Sequence, residues 1–207
     1  MRKHPLDLLL EQGEHIHQDF KYFLSDTRKI SRSLAAFANT EGGRLLIGVK
    51  DNGKVVGLKN RDEERYVIEA AASVFCKPAV EYTEQFWDYN GKTVLEIDIP
   101  KSDDAPHTAP DEAGHATVYI RVADENKAAS RLEEEYLRMK HSGAQISLTV
   151  TPPEQRVLDY FRTNGLEFGI KRDYDIKSIA RECIITPEQC LKFICKMALL
   201  EEEQPSI

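Results

Sequence analysis

The chain has 207 residues, 41% of them hydrophobic and 30% charged, enough apolar material for an ordinary core and too much for a disordered tail. At about 100 to 200 residues per domain, that length suits one domain with a small appendage and excludes a single tiny fold. Lysine and arginine total 28 against 35 acidic residues, a net charge of −7, so the molecule as a whole repels a phosphate backbone and any nucleic-acid site must be a local patch.

The basic opening Met1-Arg2-Lys3-His4-Pro5 leads into Leu8-Leu9-Leu10, but Glu11 closes that run before it reaches the length of a signal-peptide core. No stretch approaches the roughly 18 apolar residues of a membrane span. The four cysteines, Cys76, Cys183, Cys190 and Cys195, accompany no export signal and read as reduced thiols packed in a core, which makes a cytoplasmic location the expectation.

Pro5 to Gln12 is predicted to form a short helix, and Asp19-Phe20-Lys21-Tyr22-Phe23 alternates as a half-buried strand does. From Asp26 to Asn39, apolar Ile30, Leu34, Phe37 and Ala38 recur at helical spacing, with Ser25 or Asp26 as cap and Gly42-Gly43 as stop. Arg44 to Lys50 is a buried-strand run. Asn52-Gly53 and, later, Asn90-Gly91 each separate two apolar runs, the strongest short signal for a β-hairpin. Between the two hairpins, Glu63 to Phe75 is helical. Pro100 to His115 has no period and is expected to be a long loop. Thr117 to Val122 is another strand and Leu132 to Met139 a short amphipathic helix.

After Thr151-Pro152-Pro153 every strong signal is helical, which puts the domain joint at that proline pair and predicts domains over 1–145 and 151–207. Residues up to 150 carry net −5 and those from 151 onward −2, so neither part is basic. Glu154 to Thr163, Ile176 to Cys183 and Glu188 to Leu200 are the expected helices, the last two spaced as a helix-turn-helix. Lys192 and Lys196 share a face of the third. The chain ends soon after it at Ile207, with little length for a β wing, and Glu201-Glu202-Glu203 opposes DNA there.

The stretch Ala35-Ala36-Phe37-Ala38-Asn39-Thr40-Glu41-Gly42-Gly43-Arg44-Leu45-Leu46-Ile47-Gly48-Val49-Lys50-Asp51-Asn52-Gly53-Lys54-Val55-Val56-Gly57-Leu58 resembles the Schlafen AlbA_2 family of nucleic-acid-binding domains, which in bacterial proteins often precede winged-helix modules. The resemblance covers roughly residues 6–142. It implies an α+β fold, a mixed α/β domain with β-hairpins followed by a small all-α helix-turn-helix, winged-helix-like domain. It also implies DNA or RNA as partner, and the expected function is a DNA-binding transcriptional regulator. In Schlafen proteins that cleave RNA, positions similar to Glu14, Asp19 and Asp51 carry two glutamates and an aspartate. The alternative is therefore a ribonuclease holding Mg or Mn on those three carboxylates, with Lys21 beside the phosphate. Asp19 stands where a glutamate is usual, which retracts its carboxylate.

The Gly42-Gly43 corner, with Thr40, is a candidate main-chain phosphate cradle, because a glycine turn leaves amides uncovered; the same glycines serve equally as a helix C-cap. A third reading builds on the cradle: an oligomeric sensor of a nucleotide or other phosphate ligand. Gly48-x-x-x-x-Gly53-Lys54 imitates a phosphate loop but ends in Val55 and lies in a hairpin, so nucleotide hydrolysis is rejected. His15, His17, His107 and His115 could be arranged around zinc but read more simply as solvated loop residues. Candidates for nucleic-acid contact are Lys21, Arg28, Lys29, Arg32, Arg44, Lys50, Lys54 and Arg121, with Lys192 and Lys196 in the tail.

Overall fold

The computed structural model describes residues 4–203; the basic opening at Met1-Arg2-Lys3 lies outside them. The chain divides between Ala129 and Ser130 into two compact units, each α-helical in part and only the first with β-sheet among the described residues.

In the first unit, α1 (Pro5–Gln12) begins where proline presets φ, the His4 ring accepts the Leu6 N–H at 3.1 Å and the Asp7 carboxylate accepts the His4 N–H at 2.8 Å. It ends at Gly13, where the Gln18 side-chain amide donates to the Leu9 and Gly13 carbonyls at 2.7 Å each and satisfies groups the helix end leaves open. α2 (Thr27–Ala38) is capped by Asp26, which accepts from the Arg28 and Lys29 amides. It is the crossover between the parallel strands β1 (Gln18–Lys21) and β2 (Gly43–Ile47). β2 pairs antiparallel with β4 (Lys92–Ile99) and β4 with β3 (Thr83–Tyr89), giving the order β1-β2-β4-β3.

The sheet is covered on both faces. Leu45 and Ile47 face α2 and α3 (Arg61–Ala70) in a core with Leu34, Phe37, Ile68, Leu95, Ile97 and Ile99. Leu46 points the other way, to Leu6, Phe20 and Val94 beneath α1, as a two-residue side-chain period requires. α3 runs on into a five-residue π-helical turn, Ala71–Phe75.

The Asn90-Gly91 expectation holds: both residues take positive φ, 52° and 73°, between β3 and β4. At Asn52-Gly53 the chain also reverses and pairs antiparallel, but not through a two-residue turn. Only Gly53 is left-handed, at φ 77°; the Gly53 N–H donates to the Lys50 carbonyl and the Lys50 N–H to the Lys54 carbonyl. This is a three-residue loop closed by a single Val49–Val55 bridge, because β4 has taken the edge of β2 that a hairpin partner would need.

The expected loop Pro100–His115 contains β5 (Thr108–Pro110), which with β6 (Ala116–Val122) and β7 (Glu125–Ala128) makes a second, three-stranded antiparallel sheet. His107 in that segment is 1% exposed, its ring bonded to the Pro78 carbonyl and the Ser102 hydroxyl, so it is a core histidine. His115 is exposed and pairs with Asp111.

The second unit holds α4 (Arg131–Lys140), α5 (Pro152–Thr163), α6 (Ile176–Glu182) and α7 (Pro187–Glu203). The joint therefore falls before α4, about 20 residues ahead of the proline pair. α4 packs on α7, with the Cys195 thiol at 3.5 Å from the Leu132 carbonyl and the Tyr136 hydroxyl donating to Glu202. At the turn between α6 and α7, Ile184 adopts φ 54° and is 80% exposed, while Arg156 of α5 donates to the Cys183 and Ile184 carbonyls at 2.6 and 3.2 Å. No strand occurs among the described residues of this unit, so it presents helices without a wing. All four cysteines are buried and unpaired; burial pushes Cys76 and Cys195 up to about 12 and Cys190 to about 11. No described helix is long and apolar enough to cross a membrane.

Candidate nucleic-acid interface

β1 delivers Asp19 and Lys21 next to Glu14, in the turn that precedes it. The Phe20 N–H donates to Glu14 Oε1 at 2.9 Å. Burial, and after it a hydrogen bond to the Asp19 carboxyl, push Glu14 up to about 7, because both disfavour its charged form. Asp19 is 4% exposed. Its Oδ2 lies 2.6 Å from the Lys21 ammonium and 3.9 Å from the Arg121 guanidinium, ion pairs by distance that lack hydrogen-bond geometry. Arg121 is itself buried, stacked 4.7 Å over the Phe37 ring and donating to the His15 and Gln18 carbonyls and to Asn126. It is a structural cation that holds β1 to the second sheet, not a surface ligand.

The Gly42-Gly43 corner is closed. The Gly42 N–H caps α2 on the Phe37 carbonyl at 2.9 Å; a Cβ on Gly42 would meet the Ile99 carbonyl at 2.7 Å, and one on Gly43 the Phe37 ring at 2.4 Å. Thr40 donates its hydroxyl to the Ala36 carbonyl and accepts the Arg121 N–H. These residues let backbones approach each other, and the expected phosphate cradle is corrected to a helix stop under packed neighbours. The sensor reading loses its site with it.

The cations sort by what already holds them. Arg32 donates to the Pro110 carbonyl at 2.8 Å and Arg44 pairs with Glu96 at 2.9 Å. Lys192 pairs with Glu188 at 2.9 Å; Lys196 is buried on Glu154 and the Thr149 carbonyl, so the face of α7 expected to read DNA is not a free basic face. Arg28, Lys29, Lys50 and Lys54 remain exposed. Lys50 and Lys54 flank the tip Asp51-Asn52-Gly53.

Beside that loop stand two residues absent from the sequence candidates. Tyr22 and Phe23, just past β1, are each 43% exposed and meet edge-to-face at 5.1 Å. The Lys50 ammonium lies 5.2 Å from the Tyr22 ring centre and that of Lys59 5.2 Å from Phe23. The signal was available: strict alternation from buried Phe20 would turn Tyr22 inward, and two neighbouring aromatics at a strand end cannot both face one core.

The Schlafen, AlbA_2 family model matches residues 14–130. The chain belongs to this family. Among solved structures it is similar to the DIP2311 protein of Corynebacterium diphtheriae, at 20% identity and a TM-score of 0.43 over 74% of this chain and 31% of that one. A second similarity, 24% identity and a TM-score of 0.44 over 61% of this chain, covers 89% of the N-terminal domain of a Nitrosomonas europaea protein, named as RecG-related for an ATP-dependent DNA helicase. The chain thus spans under a third of the first of these proteins.

In this AlbA_2 domain the carboxylates do not assemble into a metal centre. Glu14 and Asp19 meet, but burial holds Glu14 toward its neutral form and the Lys21 ammonium already pairs with Asp19. Asp51 is exposed at its loop tip, and no group of three or more His, Cys, Asp or Glu among the described residues is placed to hold a metal ion. That donor set does not fit Mg or Mn, which take several converging oxygens.

Proposed function

We propose that this chain binds nucleic acid through the corner formed by the β1 end and the Lys50–Lys54 loop. One observation carries the reading: in a molecule of net charge −7, Lys50 and Lys54 stand exposed on one short loop while Arg32, Arg44, Arg121, Lys192 and Lys196 are engaged in internal bonds. Membership of a family of nucleic-acid-binding domains supports it. Transcriptional regulation through α7 has less support, since both α7 lysines are bound to glutamates.

The test is fluorescence anisotropy of labelled DNA and RNA with the full chain. Binding that falls as salt rises, and falls further in a Lys50→Ala, Lys54→Ala variant, is the expected result. No binding at low salt, or binding indifferent to both changes, removes the reading. Cleavage of transfer RNA with added magnesium or manganese, abolished by Asp19→Ala, would restore the nuclease in its place.

A further inference from the structure

Tyr22 and Phe23 are held on a rigid corner. On one side the Lys21 carbonyl accepts the Gly48 and Val49 amides, at 2.8 and 3.3 Å; on the other, Leu24 is buried and its N–H donates to the buried Glu64 carboxylate at 3.2 Å. The lysines reach this corner through a backbone crossing. Gly48 and Gly57, at φ 92° and 83°, approach so closely that a Cβ on Gly48 would lie 2.9 Å from the Gly57 carbonyl carbon. The Gly48 carbonyl accepts the Val56 and Gly57 amides. Two residues on from each glycine, Lys50 lies over Tyr22 and Lys59 over Phe23.

Resting on the nucleic-acid reading above, we propose that Tyr22 and Phe23 are a stacking platform for unpaired bases and that Lys50 and Lys59 take the flanking phosphates, making single-stranded nucleic acid the preferred ligand. Exposed aromatics interleaved with cations match a strand whose bases offer flat π faces between negative charges. Duplex bases are already stacked on each other and cannot reach a pair of rings on a loop corner. Acidic Asp51 next to Lys50, with Asp62 and Glu63 in the first turn of α3 after Lys59, keeps the electrostatic share small. With two or three lysines engaged on a single strand, log K should fall with log salt at a slope of only about −1.4 to −2.1.

The experiment is titration of the full chain into a labelled 12-nucleotide oligothymidine, into the matched duplex, and into a strand carrying 2-aminopurine, whose fluorescence is quenched by stacking. The single strand should bind about tenfold or more above the duplex, with quenching, and Tyr22→Ala, Phe23→Ala should cost about tenfold or more per base unstacked. Tyr22→Phe, which preserves the ring, should retain most of the affinity, separating stacking from misfolding. If the double alanine variant melts like the parent and binds the strand unchanged, or if the duplex binds equally, the platform is overturned while the Lys50 and Lys54 reading survives. Binding without quenching also overturns it and leaves the rings to a protein partner. Absence of binding to every oligonucleotide removes both readings together.

Discussion

Asn39 grips His107 by both main-chain groups: its Oδ1 accepts the His107 N–H at 2.6 Å and its Nδ2 donates to the His107 carbonyl at 2.8 Å. The same Nδ2 donates to the Tyr119 carbonyl at 2.8 Å. One amide at the end of α2 thus plays the part of a missing strand between the β5 approach and β6.

Asn39→Ala should therefore destabilise the first unit by about 3 kcal/mol, since three buried main-chain groups lose their partner at once. Urea denaturation followed by Trp87 fluorescence measures it. A cost below about 1 kcal/mol would mean the segment around His107 relaxes and finds other partners.

Gly42→Ala and Gly91→Ala separate packing from backbone strain. Gly91 has φ 73° and nothing within 4 Å of the place a methyl would take, whereas Gly42 has φ 72° and its methyl would strike the Ile99 carbonyl. The left-handed conformation alone costs an alanine about 1–2 kcal/mol, and overlap at Gly42 should add about 1–3 kcal/mol. Equal losses in the two variants, read by thermal melts, would place no neighbour over Gly42.

Glu14 makes folding depend on pH in a definite direction. Its carboxyl rises from 4.5 to about 7 on folding, so the folded protein holds a proton that the unfolded chain releases. That contribution is fully present below about pH 4.5 and is lost as pH climbs through 7. Glu14→Gln keeps an acceptor for the Phe20 amide and carries no charge. The difference in melting temperature between variant and parent should move in the variant's favour from pH 5 to pH 8. A difference that stays flat over that range would mean Glu14 is ionised throughout.

Lys196→Ala tests whether α7 has a free basic face. The Lys196 ammonium lies 3.0 Å from Glu154, and with the Thr151 N–H it holds that carboxyl below its usual value against burial. Glu154 keeps 22% of its side-chain surface in contact with solvent, so the loss should be about 2 kcal/mol, less than for a fully buried pair. Nucleic-acid affinity should not change, which anisotropy reads directly.

The helices are legible in the sequence because capping and period act within a few residues: Asp26 before α2 and the apolar spacing of Ile30, Leu34 and Phe37 all lie in the segment they shape. The β3–β4 hairpin is legible for the same reason. The glycine corner misleads because a positive φ looks the same whether a ligand or another strand lies opposite, and what lies opposite Gly42 is Ile99. β7 escapes notice since Glu125-Asn126-Lys127-Ala128 buries almost nothing and shows no apolar alternation. Of the site, the loop lysines can be read from their place beside Asn52-Gly53. The meeting of Lys50 with Tyr22 and of Lys59 with Phe23 follows the Gly48–Gly57 crossing, which no local pattern announces.

The buried thiols turn each unit into its own reporter. Cys76 sits in the first unit and Cys183, Cys190 and Cys195 in the second, each thiol held back from ionising by its surroundings. Alkylation must wait for the surrounding core to open. A single mass-spectrometric time course of alkylation under dilute urea, with peptides assigned to the one cysteine or the three, would rank the opening free energies of the two units without mutations or truncation.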